Sequence, residues 1–512
     1  MNDISRRWFI GGAASFGAFS GCRFFESRDF CAGGRPNLVL GVLSDIHVSH
    51  AAKLGEDLRD NRNDLTFRKA LAWFRAQGVD AVMVAGDMAN NGLVEQLEDI
   101  AAAWYDVFPD DRAPDGRHVE KLFIYGNHDY HGHLYGNYGA QLYPDAAELR
   151  RHVLRADMGG WWRRIFHEDY ARLYRKEVKG YTFLGQHWDD GKGLETGFGK
   201  SPSGVELEAF LAAKGGTLDP ARPFFYFQHP HLRDTCYGPW AWGRDGGRPT
   251  KLLSAYPNAV ALSGHSHYSL TDERSVWQGA FTSVGAGSLR YTGLPDGEFP
   301  GEGYENSTCE GPGAWLRDAQ KMMPKFNPTD CRQGMLWRVY DDCLVVRRHE
   351  FLSDLDLGAD WVLPLPTAES RPFAFAARAK AIGAPEFPAG AQLSVRAVRA
   401  KNRGGRSRQT GEAVASAEKD ALAVTIPAAV AKDGARAFRF EVVVTAKDGV
   451  GAPVARRVLA EGFNHAARHR KATAATTCVL ARADLPAGDC VVRVTPVNCF
   501  GRAGRPLETA FC

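Results

Sequence analysis

The sequence predicts an α/β region followed by a smaller all-β region. From Asn37 onward, short apolar runs alternate with segments whose apolar residues recur at helical spacing. Repeated strand–helix–strand units of this kind indicate a core whose strands are covered on both faces. Near residue 365 the composition changes: Pro364 and Pro366 mark a linker, and short strand-like segments follow. We therefore predict an α/β domain at residues 37–360 and an all-β domain at residues 367–512.

The elements of the α/β region are predicted from buried apolar runs of strand length. Such runs lie at residues 37–43, 81–85, 121–125, 180–186, 224–228, 258–263, 334–340 and 344–348. Helical spacing of apolar residues places two helices between the first three strands, at residues 67–74 and 94–104. Residues 131–175 lack a clear period and are interpreted as an insertion near the site, and residues 286–332 as a long loop.

The all-β region contains strand-like segments at residues 393–398, 422–426, 438–446 and 491–497. From Phe438 to Val444 apolar side chains recur at every second position, the period of a half-buried strand. Short strands separated by Gly- and Pro-containing turns predict a β-sandwich of roughly 100 or more residues. The final stretch, residues 490–501, resembles the closing strand and turn of fibronectin type III-like domains.

The first 22 residues differ in character from the rest of the chain. Arg6 and Arg7 precede a short apolar stretch rich in Gly and Ala, and Ser20-Gly21-Cys22 follows. A basic start, a modest apolar run and small residues before a break are typical of an export signal. The pattern resembles a twin-arginine signal that ends in a lipoprotein cleavage site, with Cys22 as the acylated residue. A frayed terminus with a chance Arg-Arg pair is the alternative.

This interpretation makes residues 1–22 the signal and residues 23–36 a polar linker. We expect the protein to be exported to the periplasm or the cell surface. A lipid at Cys22 is then its only predicted attachment to the membrane.

Composition limits the classes of function that remain. Of the 512 residues, Lys and Arg number 63 against 60 Asp and Glu, a formal charge of +3 that gives no support to a nucleic-acid partner. The ten Cys form no close CxxC pairs, so we expect the nine other than Cys22 to be buried or disulfide-bonded rather than zinc ligands.

Polar motifs follow five of the predicted strands. They are Asp45-Ile46-His47, Gly86-Asp87, Gly126-Asn127-His128-Asp129, His229 and Gly264-His265-Ser266-His267. In open α/β sheets, sites form at the carboxyl ends of strands, so these five motifs are expected to converge.

The donors in these motifs are carboxylate oxygens, imidazole nitrogens and one amide oxygen. Such a mixed set suits Mn, Fe or Zn better than Ca or Mg, and the absence of Cys argues against a closed structural zinc site. Two ions about 3.5–4 Å apart need a ligand that bridges them, and a carboxylate serves this purpose well.

The ordered set D-x-H, GD, GNHD, H and GHxH resembles the calcineurin-like metallophosphoesterase family over residues 37 to about 350. The resemblance implies a four-layer α/β/β/α sandwich that holds two transition-metal ions, with Mn, Fe and Zn as candidates. It also implies the metal ligands: Asp45, His47 and His267 for the first ion, Asn127, His229 and His265 for the second, and Asp87 between them.

The resemblance further implies that a hydroxide shared by the two ions attacks a small phosphate-ester substrate. His128 is then expected to assist the leaving group as a phosphate ligand or general acid, with Asp129 orienting its imidazole. A turn-capping role for both residues is the alternative. Asn90 stands where purple acid phosphatases carry a Tyr ligand, so an iron–tyrosinate site is not expected.

The substrate is left open by the sequence. Residues 130–143, 161–164 and 237–244 are rich in aromatic residues and Arg, and form either pocket walls or packed loops. A phosphodiester is slightly favoured over a monoester, because family members with GNHD and no Tyr ligand often act on diesters. Five other His are considered at the mouth of the site but not as ligands: His50, His131, His133, His187 and His231.

The alternative function is a non-catalytic or surface-binding protein in which the C-terminal sandwich carries the main role. A further possibility is that this sandwich only packs against the α/β domain and stabilises it.

Overall fold

The computed structural model describes residues 34–49, 63–195, 204–238, 241, 243–292, 331–367, 369, 371–401, 405–406, 413–414, 418–463 and 475–512. The predicted export signal, most of the predicted linker and most of the predicted 286–332 loop lie outside these residues.

The strands of the α/β part, in chain order, are β1 Leu38–Leu43, β2 Ala81–Ala85, β3 Glu120–Ile124, β4 Leu173–Val178, β5 Tyr181–Gln186, β6 Phe224–Gln228, β7 Ala259–Ser263, β8 Val276–Gln278, β9 Thr282–Gly285, β10 Gln333–Val339, β11 Cys343–Glu350, β12 Leu355–Asp356 and β13 Trp361–Pro364. All eight strands predicted for this part are confirmed, and their ends differ from the predicted ones by no more than two residues.

The helices are α1 Asn63–Ala76, α2 Val94–Val107, α3 Asn127–His131, α4 Tyr138–Leu142, α5 Ala146–His152, α6 Met158–Phe166, α7 Val205–Lys214, α8 Arg248–Leu253 and α9 Phe375–Ala381. Short 3₁₀ turns lie at Pro109–Asp111, Gly132–Asn137, Leu154–Ala156, Gly193–Glu195, Gly215–Thr217 and Glu273–Ser275. Within the described ranges, no helix is both long enough and apolar enough to cross a membrane.

Two mixed sheets form the centre of this part. The first has the order β12-β11-β10-β1-β2-β3, with β13 also paired to β11, and its strands β1, β2 and β3 run parallel. The second has the order β4-β5-β6-β7-β9-β8, in which β5, β6, β7 and β9 run parallel. Each sheet therefore has a run of parallel strands whose carboxyl ends share one edge.

The side chains of β1 show how the layers stack. Leu38, Leu40 and Val42 are buried in one apolar cluster together with Phe225 of the second sheet, so the two sheets pack face to face. Leu43 points the other way, into a cluster to which α1, α2 and α6 contribute. The outer face of the second sheet packs on α7 and α8 in a third cluster. The predicted α/β/β/α order of layers is confirmed.

Residues 131–175, for which no period was found, contain three short helices. Helices α4, α5 and α6 have five, seven and nine residues, so each makes only one to three turns. A period of 3.6 residues is hard to detect over so short a span, which explains why the sequence pattern did not reveal these helices.

The C-terminal part consists of antiparallel strands. They are β14 Ser394–Lys401, β15 Gly405–Arg406, β16 Ala413–Val414, β17 Glu418–Ile426, β18 Arg439–Ala446, β19 Val454–Leu459, β20 Thr476–Ala481, β21 Cys490–Val497 and β22 Leu507–Phe511, with a 3₁₀ turn at Arg482–Asp484. One sheet has the order β14-β17-β20 and the other β19-β18-β21-β22, while β15 and β16 pair with each other. Alternate residues of both larger sheets, such as Val424 and Val442, share one buried apolar cluster.

A buried carboxylate joins several elements beside this C-terminal part. Glu273, just beyond the 264–267 motif, lies 3.1 Å from the Arg348 guanidinium, accepts a hydrogen bond of 2.8 Å from Trp361 Nε1, and also contacts Arg378 of α9. These positive charges hold the pKa of Glu273 below its usual range, although burial alone would raise it. The segment that follows the 264–267 motif is thus fixed by residues from β11, β13 and α9.

The neighbouring Arg274 reaches the C-terminal sandwich itself. Its guanidinium lies 5.1 Å from the centroid of the Phe438 ring. Arg502 of the sandwich donates a hydrogen bond of 3.2 Å to the carbonyl oxygen of Ile382, just after α9. The sandwich therefore packs against the α/β part through residues close in sequence to the 264–267 motif.

The cysteines include both predicted states. Cys343 takes part in a disulfide bond. Cys236 and Cys499 are buried thiols.

We predict that Gly41→Ala destabilises the α/β part. A Cβ atom at Gly41, in the middle of β1, would lie 2.5 Å from Cδ2 of the Phe74 ring in α1, so the helix has to shift. Overpacking of this kind costs about 1–3 kcal/mol in the free energy of unfolding. Urea unfolding of the metal-free protein measures it. Gly216→Ala is the control, because nothing lies within 4 Å of its added Cβ; equal stability of both variants would contradict the prediction.

Candidate metal centre

The five predicted motifs lie where the parallel strands end. Asp45 and His47 follow β1, Asp87 follows β2, and Asn127 begins α3 directly after β3. His229 follows β6, and the 264–267 motif follows β7 in the second sheet. Because the two sheets pack face to face, their carboxyl edges meet, and the side chains of all five motifs are brought to one place.

The backbone at this edge is strained. Asp45, His47, Asp87, His265 and His267 all have positive φ, between 51° and 74°. Residues with a Cβ rarely adopt this conformation, and each instance costs of order 1–3 kcal/mol. Five such residues in one site indicate that the surrounding structure holds the side chains in place against this cost.

Glycines in the motifs permit close packing of the ligands. A Cβ on Gly86, whose φ is +92°, would lie 2.5 Å from Nδ1 of His229. A Cβ on Gly126 would lie 2.2 Å from Oδ1 of Asp87. The Gly that precedes Asp87 and the Gly that precedes Asn127 are therefore required because another site residue packs directly against the backbone.

Three predicted ligands of the first ion meet at one point. Nε2 of His47 and Nε2 of His267 are 3.1 Å apart, and Nε2 of His267 lies 3.0 Å from Oδ1 of Asp45. Oδ2 of Asp87 is 3.6 Å from Nε2 of His47. These four residues are buried, and their ligand atoms lie within 4.8 Å of one another.

A second group of acceptors shares Asp87. Oδ2 of Asp87 is 3.1 Å from Nε2 of His229, and a ligand atom of His265 lies within 4.8 Å of both. Asn127 lies beside them: the backbone N–H of the next residue, His128, donates to Oδ1 of Asp87 at 2.8 Å. Asp87 thus belongs to both groups, which is the arrangement that a bridging carboxylate requires.

Contacts on the far side of the ligands set their orientation. His229 Nδ1 donates to the carbonyl oxygen of Ala85 at 2.6 Å, and His267 Nδ1 donates to that of Tyr291 at 3.2 Å. Oδ2 of Asp45 accepts from the backbone N–H of His265 at 3.0 Å. When these imidazoles are neutral, as a metal ligand must be, a proton on Nδ1 leaves the lone pair on Nε2, which points into the site.

The donor set fits a pair of metal ions. Oδ1 of Asp45, Oδ1 of Asn127 and Nε2 of His229 are buried, and apart from the facing ligand atoms none has a hydrogen-bond partner among the described residues. Buried polar atoms are almost always satisfied, so acceptors that face one another need a cation between them. Carboxylate, amide and imidazole together suit Mn, Fe or Zn.

The pKa values of the site residues also indicate that a cation is favoured here. Burial would raise the pKa of Asp45 and Asp87, yet the imidazoles of His267 and His229 hold the pKa of Asp45 well below its usual range, and those of His229 and His128 do the same for Asp87. Burial would lower the pKa of His229, yet Asp87 and then Asp45 raise it to about 9. Burial is the main reason why the pKa of His47 falls to about 3. The pocket keeps its carboxylates ionised and stabilises positive charge.

His128 lies beside this cluster in an orientation that differs from the prediction. Its Nδ1 is 2.7 Å from the carbonyl oxygen of Asn90, and its ring packs edge-on against His47 with centroids 4.5 Å apart. The side chain of Asn90 is held in turn by the Arg290 guanidinium. A main-chain carbonyl therefore takes the place predicted for the Asp129 carboxylate.

Asp129 instead fixes the backbone around the bridging residue. Its carboxylate accepts from the N–H groups of Gly126 at 2.7 Å, Ala89 at 2.6 Å and Met88 at 3.2 Å. Burial, together with the nearby Asp87, raises the pKa of Asp129 to about 7. The prediction that it orients the His128 imidazole is corrected: it joins the turn after β2 to the turn after β3.

Several residues near the cluster were missed by the sequence reasoning. The Trp188 ring lies 5.7 Å from His265 and 6.1 Å from His229 between centroids, and the Tyr291 ring lies 4.2 Å from His267. Trp188 stands two residues after β5, so the rule applied to the other parallel strands could have found it. No pattern in the sequence marks Tyr291.

Of the other His considered at the mouth, two form hydrogen bonds within the core. His231 contacts Ser263 Oγ through Nδ1 at 2.8 Å and Ser266 Oγ through Nε2. His187 Nδ1 accepts from the backbone N–H of Tyr125 at 3.0 Å. His131 ends α3 and His133 lies in the 3₁₀ turn that follows, both buried, and His50 is outside the described residues.

A family model described as calcineurin-like phosphoesterase matches residues 38–269. The matched range contains all seven predicted ligands. The α/β part of the chain has a metallophosphoesterase fold. This fold and the buried Asp/His cluster together indicate a site for two divalent metal ions and hydrolysis of phosphate esters.

Solved structures with a similar course of the chain include three from eukaryotes. A dimetal phosphatase from Danio rerio is 11% identical, with a TM-score of 0.37 over 64% of this chain and 99% of that one. The purple acid phosphatase PPD1 from yellow lupin seeds is 12% identical, with a TM-score of 0.34 over 64% and 54%. Zinc-complexed Vps29 from Entamoeba histolytica is 9% identical, with a TM-score of 0.23 over 64% and 99%. No curated protein matches this chain.

We predict that Asp87→Asn abolishes binding of at least one ion, because the amide loses the negative charge and has only one oxygen for two tasks, facing both ligand groups and accepting the His128 N–H. Elemental analysis of protein reconstituted with Mn²⁺ and desalted should give two ions per chain for the unaltered protein and one or none for the variant. Asp80→Asn is the control: Asp80 is equally buried, but it lies just before β2, at the opposite end of that strand. Two ions in Asp87→Asn would contradict the prediction.

Proposed function

We propose that the α/β part of this protein hydrolyses a phosphate ester with two metal ions, held by Asp45, His47 and His267 on one side and by Asn127, His229 and His265 on the other. The observation that carries this proposal is that Oδ2 of Asp87 faces both groups of buried acceptors. A closed structural site needs one complete set of ligands, whereas two incomplete sets that share a carboxylate leave room for substrate.

When bound, the ions supply Lewis acidity toward phosphoryl oxygens and lower the pKa of a water molecule. The residues of the chain supply the geometry. Asp45 and Asp87 each use one carboxylate oxygen to accept a backbone N–H and keep the other for the site. The carbonyls of Ala85 and Tyr291 fix the ring orientation of two imidazole ligands. Little reorganisation is then needed as the substrate reacts.

His128 is the group that we assign to the leaving oxygen. Because its Nδ1 is engaged with the Asn90 carbonyl, Nε2 is the atom that remains for the substrate. Hydrolysis breaks the ester P–O bond, forms a P–O bond to water, and leaves a proton to be delivered to the departing oxygen. A protonated Nε2 supplies that proton, and Asp129 contributes only through the backbone turns that it joins.

For the substrate class, we propose a small phosphodiester in preference to a monoester. This choice is supported by the sequence, which combines GNHD with Asn90 at the position of the Tyr ligand of purple acid phosphatases. A diester also needs a proton at its leaving oxygen whenever that oxygen belongs to an alcohol of high pKa, and the site offers His128 for this task.

We predict that His128→Ala lowers kcat by about 10²- to 10⁴-fold while metal content stays at two ions per chain. Hydrolysis of bis-p-nitrophenyl phosphate and of p-nitrophenyl phosphate is compared after chelation and after addition of Mn, Fe, Zn or Ni. The unaltered protein should show metal-dependent turnover, faster with the diester. His133→Gln is the control, because His133 is a buried His of the same segment that lies outside both ligand groups.

Two results would count against this function. Two bound ions without turnover of either ester, with any of the four metals, would favour a binding role for the protein. Faster hydrolysis of the monoester would remove the diester preference but leave the hydrolase assignment in place.

The proposed location rests on the first 22 residues. We propose export through the twin-arginine route and attachment by a lipid at Cys22, supported by Arg6-Arg7, the short apolar stretch and Ser20-Gly21-Cys22. A route that carries folded proteins is compatible with metal loading before export.

Fractionation of bacteria that express the full chain tests this location. The unaltered protein is expected in the membrane fraction and labelled by radioactive palmitate. Replacing both Arg6 and Arg7 by Lys should retain it in the cytoplasm, and Cys22→Ser should release it in soluble, unlabelled form. A Cys22→Ser variant that stays in the membrane and keeps its label would rule out acylation at Cys22.

For the C-terminal part we propose a fibronectin type III-like sandwich that supports the α/β part. The strand orders β14-β17-β20 and β19-β18-β21-β22, with the cluster between the two sheets, support a two-sheet sandwich of this architecture. The contact between Arg274 and Phe438 supports the packing role.

A further inference from the structure

Asn127 presents a problem of orientation that the carboxylate ligands do not have. Its side-chain amide has an oxygen that binds metals and a nitrogen that does not, and a rotation of the amide exchanges the two. The two ends of this amide have different surroundings: Oδ1 is buried and has no hydrogen-bond partner among the described residues, whereas Nδ2 donates to the hydroxyl of Tyr135 at 3.0 Å. Something must keep the amide in this orientation.

The Tyr135 hydroxyl is itself held from the other side. It lies 2.9 Å from Nε2 of His131. Burial first, and Arg155 next, lower the pKa of His131 to about 4, so this imidazole is neutral near pH 7. With Nε2 of His131 as the acceptor, the hydrogen bonds run in one direction: the Asn127 amide donates to the Tyr135 oxygen, and the Tyr135 hydroxyl donates to Nε2 of His131.

The position of Tyr135 in the chain explains why it can do this. It lies in the 3₁₀ turn Gly132–Asn137, which directly follows the helix that begins at Asn127. Gly136 has a φ of +61°, and this turn brings the chain back toward its own start. The Tyr135 ring packs on the imidazole of His128, with centroids 4.7 Å apart.

We propose that Tyr135 is a positioning residue that selects the oxygen end of the Asn127 amide for the second metal ion. This inference rests on the proposed two-metal function. The Tyr135 hydroxyl can accept a hydrogen bond from Nδ2. In the flipped amide, Oδ1 would face the Tyr135 oxygen, whose hydrogen is already donated to His131. The flipped state would also turn two N–H donors toward a place where a cation binds.

Tyr135→Phe should therefore weaken binding of the second ion and leave binding of the first unchanged. Outer contacts to metal ligands typically contribute 10- to 100-fold to metal affinity, so we expect a loss of that size at one of two sites. Metal-free protein is titrated with Mn²⁺ alone by calorimetry, and the binding constant of each ion is determined. Tyr138→Phe, which removes a Tyr hydroxyl three residues further on, is the matched control and should bind both ions normally.

A second variant separates orientation from packing. In Asn127→Asp both side-chain oxygens can bind metal, so the choice between two ends no longer exists. Tyr135→Phe should therefore weaken binding of the second ion several-fold less when it is added to Asn127→Asp than when it is made in the unaltered protein. An equal loss in both backgrounds would show that Tyr135 acts through packing alone and would overturn the proposal, as would normal binding of both ions by Tyr135→Phe.

Metal binding and ester hydrolysis are measured separately, so the positioning role of Tyr135 and the proposed function can fail independently. Calorimetry reports on Tyr135 even if no ester is hydrolysed, so an inactive protein that binds two ions and loses one with Tyr135→Phe would refute the proposed function only. Where both ions bind, kcat of Tyr135→Phe at saturating Mn²⁺ should return to near the unaltered value. If kcat of the variant remains 10- to 100-fold below the unaltered value with both ions bound, Tyr135 takes part in the chemistry, which would contradict a positioning role.

Discussion

A group of buried acceptor atoms around Asp87 is the constraint on which the rest of this structure depends. Carboxylate oxygens and imidazole nitrogens of buried side chains lie 3.0–3.9 Å apart. Such atoms repel one another unless protons or cations separate them, and burial removes the solvent that would otherwise screen the repulsion. The depressed pKa values of Asp45 and Asp87 and the raised pKa of His229 express the same demand for positive charge.

The fold supplies the means to hold these atoms together. Parallel strands of two facing sheets end at one edge, and each ligand stands within a few residues of a strand end. The positive φ angles of five ligands are tolerated because the strands before them are fixed by apolar clusters on both faces. Strain at the site is thus sustained by packing in the layers, and close approach is possible where Gly86 and Gly126 lack a side chain.

Residues around the ligands divide the remaining tasks. The carbonyl of Asn90 orients His128, the carboxylate of Asp129 ties together the turns after β2 and β3, and Tyr135 receives the amide of Asn127. On the opposite side, Glu273 anchors the segment after the 264–267 motif to three other elements. The C-terminal sandwich touches this same segment through Arg274, which connects the sandwich physically to the half of the site built by the second sheet.

The sequence alone determined the strands and the polar motifs at their ends, because these are local signals, and through the resemblance of those motifs to a known family it also indicated the order of layers and the seven residues expected at the metal centre. It did not reveal the short helices of residues 131–175, nor that Asn90, rather than Asp129, contacts the His128 imidazole. It gave no sign of Tyr135 as a partner of Asn127 or of Trp188 beside His265. These contacts join segments whose meeting depends on how turns and sheets pack in three dimensions, so only the tertiary structure decided them.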